Sequence, residues 1–243
     1  MRAITFPESG SKRKLLDAAE QLFADHGFEA VSVRDITQLA KTNVAAVNYH
    51  FGSRDALLGM VMTRYMVPIN EERLARLEAV ERKYPGKSAP IEEIIDAFVR
   101  PLVTQVRKSE LSERLFYKLT GRIFAQQGDG MPPQIEDQLR QIIERFTRSF
   151  AKALPTVTTE ELAWRIHFLA GGMIYLLTHQ DLANRLSNGA SGSPAMEATL
   201  SRFIRFAAAG LREGTVTEEP VKDRKSTRLN SSHSSPSRMP SSA

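Results

Sequence analysis

The sequence predicts an all-α protein in two parts: a small N-terminal three-helix unit with a helix-turn-helix plan, and a larger C-terminal helical domain. Apolar residues recur at three- and four-residue spacing in one segment after another, and no stretch alternates with the period of two that a half-buried strand needs. Helix start and stop signals also fall at helical intervals along the chain. With 243 residues and 42% hydrophobic content, there is enough apolar material for a packed core.

Residues 1–10, with Pro7 and Gly10, read as an arm. Over 11–26, Leu15, Leu16, Ala18, Ala19, Leu22 and Phe23 share one helical face, and Gly27 ends the helix. Ser32 and Asp35 have the spacing of a capping box for a second helix, in which Ile36, Leu39 and Ala40 should face inward. Asn43 can cap a third helix running to about His50, with Val44, Val47 and Phe51 expected in the core. Gly52 breaks the chain there, and Ser53 can cap the next helix. Helices this short and this closely linked form a helix-turn-helix.

The remainder reads as further helices. Residues 54–83 are periodic but contain Pro68, which should kink or divide them. After a loop over 84–90, a helix with Glu92 and Glu93 in its first turn runs toward Lys108, with a second kink predicted at Pro101. Two more helices are predicted over about 110–127 and 134–154, the latter stopped by Pro155. Thr158 and Glu161 again suggest a capping box, opening a helix to about Leu186; the final helix covers about 195–212. Gly171 and Gly172 in the first of this pair, and Ala207, Ala208, Ala209 and Gly210 in the second, permit close helix approach.

Composition excludes several classes. There is no cysteine, hence no disulfide framework and no thiolate metal site, and a reducing compartment is the natural setting. The longest apolar run, 168–177, is too short to span a bilayer, so a cytoplasmic protein without membrane partners is expected. Histidines at 26, 50, 167, 179 and 233 are scattered, and neither an H-E-x-x-H nor a phosphate-loop motif occurs, so no catalytic residue, metal ligand or cofactor is assigned. Paired carboxylates such as Glu92 and Glu93 sit at helix starts, where the dipole accounts for them.

Residues 223–243 are expected to stand apart from the fold. They resemble a translated sequencing-library adapter, matching one reading frame over 223–233 and 237–243. The segment holds four Arg/Lys and one Asp, so without it the formal charge of +5 falls to +2. Residues 1–55 are balanced, with seven basic and seven acidic side chains, so a nucleic-acid footprint must come from placement rather than net charge.

The run A-A-E-Q-L-F-A-D-H-G-F-E-A-V-S-V-R-D-I, followed by A-A-V-N-Y-H-F-G-S-R-D-A-L-L, resembles the N-terminal DNA-binding domain of the TetR family of transcriptional regulators. One departure is Lys41, which stands where the family usually has a glycine in the turn. The resemblance implies a DNA-binding domain over 11–57 and a ligand-binding and dimerisation domain over 58–215. It implies a recognition helix in the major groove, where Ala45 and Ala46 can touch thymine methyls and Thr42, Asn43 and Asn48 offer hydrogen bonds to bases or phosphates. Ser32, Arg34, Tyr49, His50 and Arg54 would lie near phosphates; Arg54 stands where the family usually has a lysine.

By the same resemblance, the last two helices form a homodimer interface and the partner is a double-stranded operator. A small apolar effector would be lined by residues from Phe98, Leu102, Phe116, Leu119, Phe124, Phe146, Phe150, Trp164, His167, Phe168 and Tyr175. The segment 161–168 and the recognition helix are similar to those of the fatty-acid-responsive branch, which implies a fatty acid or acyl-CoA. The alternative reading is a helix-turn-helix used for protein contact without sequence-specific DNA binding.

Overall fold

The computed structural model describes residues 10–105, 113–125, 133–179, 182–192 and 195–213, with side chains left out for 113, 114, 124, 125, 133 and 134. The arm over 1–9 and the string over 223–243 lie outside the described residues. Those described form ten helices and no strand: α1 (Gly10–His26), α2 (Val33–Leu39), α3 (Val44–Phe51), α4 (Arg54–Lys83), α5 (Ile91–Thr104), α6 (Glu113–Ala125), α7 (Pro133–Ala153), α8 (Thr159–Thr178), α9 (Leu182–Leu186) and α10 (Met196–Arg212).

Local chemistry fixes the N-terminal boundaries. Gly27 leaves α1 at φ 92. The reciprocal capping box of Ser32 and Asp35 opens α2, while Asn43 and Ser53 cap α3 and α4 through bonds to the Ala46 and Ala56 amides. The core of this unit is narrower than the sequence suggests. Ile36 and Ala40 take the buried stripe of α2, leaving Leu39 44% exposed, and Val47 is the fully buried contact of α3, leaving Val44 equally bare. Helices of seven and eight residues have room for one buried stripe and little more.

α4 is the spine. It packs against α1 and α3 at one end and against α5 and α7 further along; α8 lies on α6 and α7, and α10 on α5 and α8. α4 runs unbroken through Pro68, and α5 through Pro101, so neither proline divides its helix. Each omits one intrahelical bond, which surrounding tertiary packing tolerates. One continuous core extends from Leu15 in α1 through Met62, Met66 and Ile69 of α4 to Leu211 in α10.

The C-terminal elements depart from expectation in two places. Thr158 caps α8 by accepting from the Glu161 amide, but the Glu161 carboxylate accepts from Arg165 Nε at 2.8 Å instead of returning to the cap. α8 also stops at Thr178, short of Leu186, and the chain turns at His179 before the single turn of α9. Close approach of α8 and α10 is real at Gly172, where an added Cβ would lie 3.2 Å from the Phe203 ring; at Gly171 and Gly210 a Cβ would meet nothing within 4 Å among the described residues.

Candidate nucleic-acid interface and effector cavity

The turn joining α2 and α3 has the two bonds of a Schellman motif. The Thr42 amide donates to the Thr37 carbonyl at 2.9 Å and the Lys41 amide to the Gln38 carbonyl at 3.2 Å. Lys41 occupies the left-handed position at φ 52, where glycine is the unstrained residue. Lysine therefore preserves the ordinary turn at a steric cost.

Beyond that turn, α3 rests on α1, α2 and α4 and leaves its other side open. Asn43, Ala45, Asn48 and Tyr49 are exposed, Tyr49 at 85%, and Ala46 is half-buried. At the start of α2, Ser32 and Arg34 are exposed too. Ser32 is also occupied structurally, its hydroxyl donating to Asp35 at 2.6 Å, and Asn43 Oδ1 accepts from the Ala46 amide at 2.9 Å.

Three other expected contacts turn inward. The Thr42 hydroxyl is buried and has no hydrogen-bond partner among the described residues. His50 Nε2 lies 2.6 Å from Ser11 Oγ, joining α3 to α1. Arg54 donates through Nε to the Val31 carbonyl at 2.9 Å and through Nη2 to the Phe28 carbonyl, with its guanidinium over the Phe23 ring. It clamps α4 to the segment between α1 and α2.

Two further contacts tie this unit to the rest. Glu20 of α1 accepts from Arg64 Nη1 at 2.8 Å and from the Tyr65 hydroxyl at 2.9 Å, and Arg64 also reaches Asp17 at 3.0 Å. Burial pushes the Glu20 carboxyl up to about 7, because desolvation outweighs the attraction of Arg64. At the far end of α1, Arg122 of α6 donates to the Asp25 carbonyl at 3.3 Å, beside Gly27, where a Cβ would collide with the guanidinium. A cation here also complements the negative end of the helix.

A cavity of about 150 Å³ lies among α4, α5, α7 and α8, its lining including Arg73, Phe98, Leu102, Ile142, Ile143 and Met173. Of the residues expected to line a pocket, Phe98 and Leu102 do so. Phe116, Leu119, Phe146 and Phe150 are buried core, with the Phe146 ring 5.0 Å from that of Phe98. The Phe124 side chain lies outside the described residues.

Trp164, His167, Phe168 and Tyr175 are all exposed and do not line the cavity. α8 buries the opposite stripe, Leu162, Ile166, Leu169, Met173 and Leu177, so this aromatic stripe lies on the outside of the chain. Arg73, absent from the sequence reading, does line the cavity. Its signal was positional: it falls in the stripe Met62, Met66, Ile69, Arg73, Leu77 and Val80, all of which are buried. No cluster suited to a metal ion occurs among the described residues.

Residues 15–61 match the family model described as bacterial regulatory proteins, tetR family, and residues 96–210 match the tetracyclin repressor-like C-terminal domain. Over 48 residues the chain is 46% identical to the HTH-type transcriptional repressor Rv3405c of Mycobacterium tuberculosis, a match covering 20% of this chain and 26% of that protein. Over 62 residues it is 32% identical to the HTH-type transcriptional repressor KstR2 of Rhodococcus jostii, covering 26% and 30% respectively. The matched stretches thus span under a third of those relatives.

A solved TetR-like transcriptional regulator from Rhodococcus sp. RHA1 superposes at TM-score 0.58 and 18% identity, covering 85% of this chain and 98% of its own. HlyIIR, a hemolysin II transcriptional regulator, does so at 0.54 and 15%, covering 84% and 97%. At these identities the likeness is one of fold.

Proposed function

The chain belongs to the TetR family of transcriptional regulators, DNA-binding proteins rather than enzymes, and from that premise we propose that it is a cytoplasmic, ligand-responsive repressor. In this reading a homodimer grips a palindromic operator and releases it when a small apolar effector enters the C-terminal domain. The observation that carries it is the bare side of α3, where Ala45, Asn48 and Tyr49 stand outward from a helix capped and packed on three others. Small and amide side chains on such a helix suit thymine methyls and base edges.

The aromatic stripe of α8 supports the dimer. Trp164, Phe168 and Tyr175 are 55%, 65% and 57% exposed, and Phe206 of α10 is 78% exposed, an apolar surface suited to a second copy. α4 supplies the connection, since it starts beside the Ser53 cap next to α3 and carries Arg73 into the cavity. A ligand there that favours one position of α4 shifts the spacing of the two DNA-binding heads. The effector class carried over from the resemblance is an acyl compound, a fatty acid or its coenzyme A ester.

The test is fluorescence anisotropy of the purified chain on DNA from upstream of its own gene, read at several salt concentrations. Expected is a sequence-specific complex that weakens steeply with salt. Equal affinity for scrambled DNA would instead favour a protein-contact role.

A further inference from the structure

We infer that the cavity beside α4 takes a small carboxylate, its anionic end on the Arg73 guanidinium, and its apolar body, about the size of a benzene ring, against Phe98, Leu102, Ile142 and Met173. This rests on the effector reading above and narrows it from acyl compounds in general to short or aromatic free acids.

The cavity contains a cation without an anion. Arg73 is 2% exposed, donates through Nε to the Phe98 carbonyl at 2.8 Å and through Nη1 to Asn70 Oδ1 at 3.1 Å, and stacks over the Phe98 ring at 4.5 Å. No carboxylate among the described residues pairs with it. Neighbouring Glu72 is engaged elsewhere, with Arg76, Thr104 and Gln105 at 2.6–2.8 Å. Burial is the one influence on its ionisation, lowering its pKa to about 10. Buried charges ordinarily have a counter-charge, because isolated ones are costly.

An arginine carries five N–H donors in a fork that matches a carboxylate, and Nη2 of Arg73 bonds to no described residue. Asn70, 3% exposed, spends its oxygen on Arg73, and its Nδ2 is buried with no hydrogen-bond partner among the described residues. Asn70 thus holds the guanidinium through Nη1, while Nη2 has no acceptor among the described residues, beside a cavity whose lining other than Arg73 is apolar.

That combination selects against the alternatives. An inorganic anion would leave the apolar walls uncovered, and a neutral hydrocarbon would leave the guanidinium unpaired. The volume, about 150 Å³, is roughly that of an apolar cavity in another protein that admits benzene. A benzoate-sized or hexanoate-sized acid fits it, whereas a long acyl chain or a coenzyme A ester requires a larger one. Ile143, 38% exposed, stands at the rim.

The experiment titrates the full chain calorimetrically with benzoate and hexanoate, and with their neutral isosteres benzamide and hexanamide. Expected is saturable binding of at least one acid, with its amide weaker by about tenfold or more, since the charge-assisted bonds are lost. In Arg73→Met, shown to be folded by circular dichroism, the acid loses that advantage. In Asn70→Ala, which keeps the guanidinium but removes the acceptor that holds its Nη1, the acid weakens by about threefold or more. If Arg73→Met does not fold, the acid-against-amide comparison and Asn70→Ala decide the matter.

Equal binding of acid and amide, no binding of either acid at millimolar concentration, or an undiminished preference in folded Arg73→Met would each overturn the inference. Operator affinity measured on the same preparation separates the two readings. Acid binding without a specific operator complex removes the repressor reading alone, and an operator complex without acid binding removes this one alone.

Discussion

Lys41 and Glu20 each run against the ordinary preference of their residue type, one in conformation and the other in ionisation. Lys41 holds φ 52 in a turn whose hydrogen bonds are otherwise those of a glycine-terminated helix. The left-handed conformation costs an L-residue about 1–2 kcal/mol, while glycine gives back about 0.5–1 kcal/mol through the unfolded chain. Lys41→Gly should therefore stabilise the protein by up to about 1 kcal/mol, seen as a melting temperature raised by a few degrees; a lower melting temperature would mean the turn is not strained. Glu20 has the opposite kind of conflict, between its partners and its burial. Its folded-state value of about 7 lies above the ordinary 4.5, so the neutral acid is the form the fold prefers. The stability it contributes is full below about 4.5 and is lost as pH rises to 7, on the order of 3 kcal/mol in all. Glu20→Gln, fixed in a neutral form, should match the wild type at pH 4.5 and exceed it at pH 8, with the gap opening between those limits. Parallel denaturation curves with no pH-dependent gap would refute this.

The helices show which signals act locally and which do not. The caps at Ser32, Asn43 and Ser53 are legible because donor and acceptor lie within four residues, and the sequence places those helix starts within a residue or two. The inward face of α8 is not, since Leu162, Ile166 and Leu169 alternate with Trp164 and Phe168 around a helix apolar on both sides. Only the arrangement of α6, α7 and α10 decides which stripe is covered. The same holds for Arg54, whose place in the motif suggests phosphate while its guanidinium reaches back to Phe28 and Val31 across more than twenty residues. That difference is measurable. Tyr49→Ala removes an 85% exposed side chain from α3, so it should leave the melting temperature unchanged and weaken operator binding roughly tenfold or more. Arg54→Ala removes two charge-assisted bonds to backbone carbonyls and should lower stability by about 2–3 kcal/mol in a denaturant titration. If Tyr49→Ala lost the stability and Arg54→Ala did not, the roles assigned to the two side chains would be exchanged.

Taken as a whole, the molecule has little net charge to bring to DNA. Without residues 223–243 the formal charge is +2, and the first 55 residues are neutral, so one three-helix head has a weak electrostatic hold on a polyanion. In the proposed repressor, affinity would come from two heads acting together on two half-sites, the second binding at the effective concentration set by the first. On that proposal the dimer surface is a requirement for operator binding. Phe168 is the place to test it, because it is 65% exposed on the outer stripe of α8, stacked on Trp164 with ring centroids 6.0 Å apart, and outside the core that folds the protomer. Phe168→Glu should leave helix content and melting of the protomer close to wild type. In sedimentation it should shift the protein from dimer to monomer, since two carboxylates would be buried in the proposed interface with no counter-charge. Operator affinity should then fall by about a hundredfold or more, within the range that avidity supplies, with a salt dependence shallower than that of the wild type because one head contacts fewer phosphates. A monomeric Phe168→Glu with undiminished operator affinity would show that a single head suffices, and an unchanged dimer would place the interface elsewhere on the molecule.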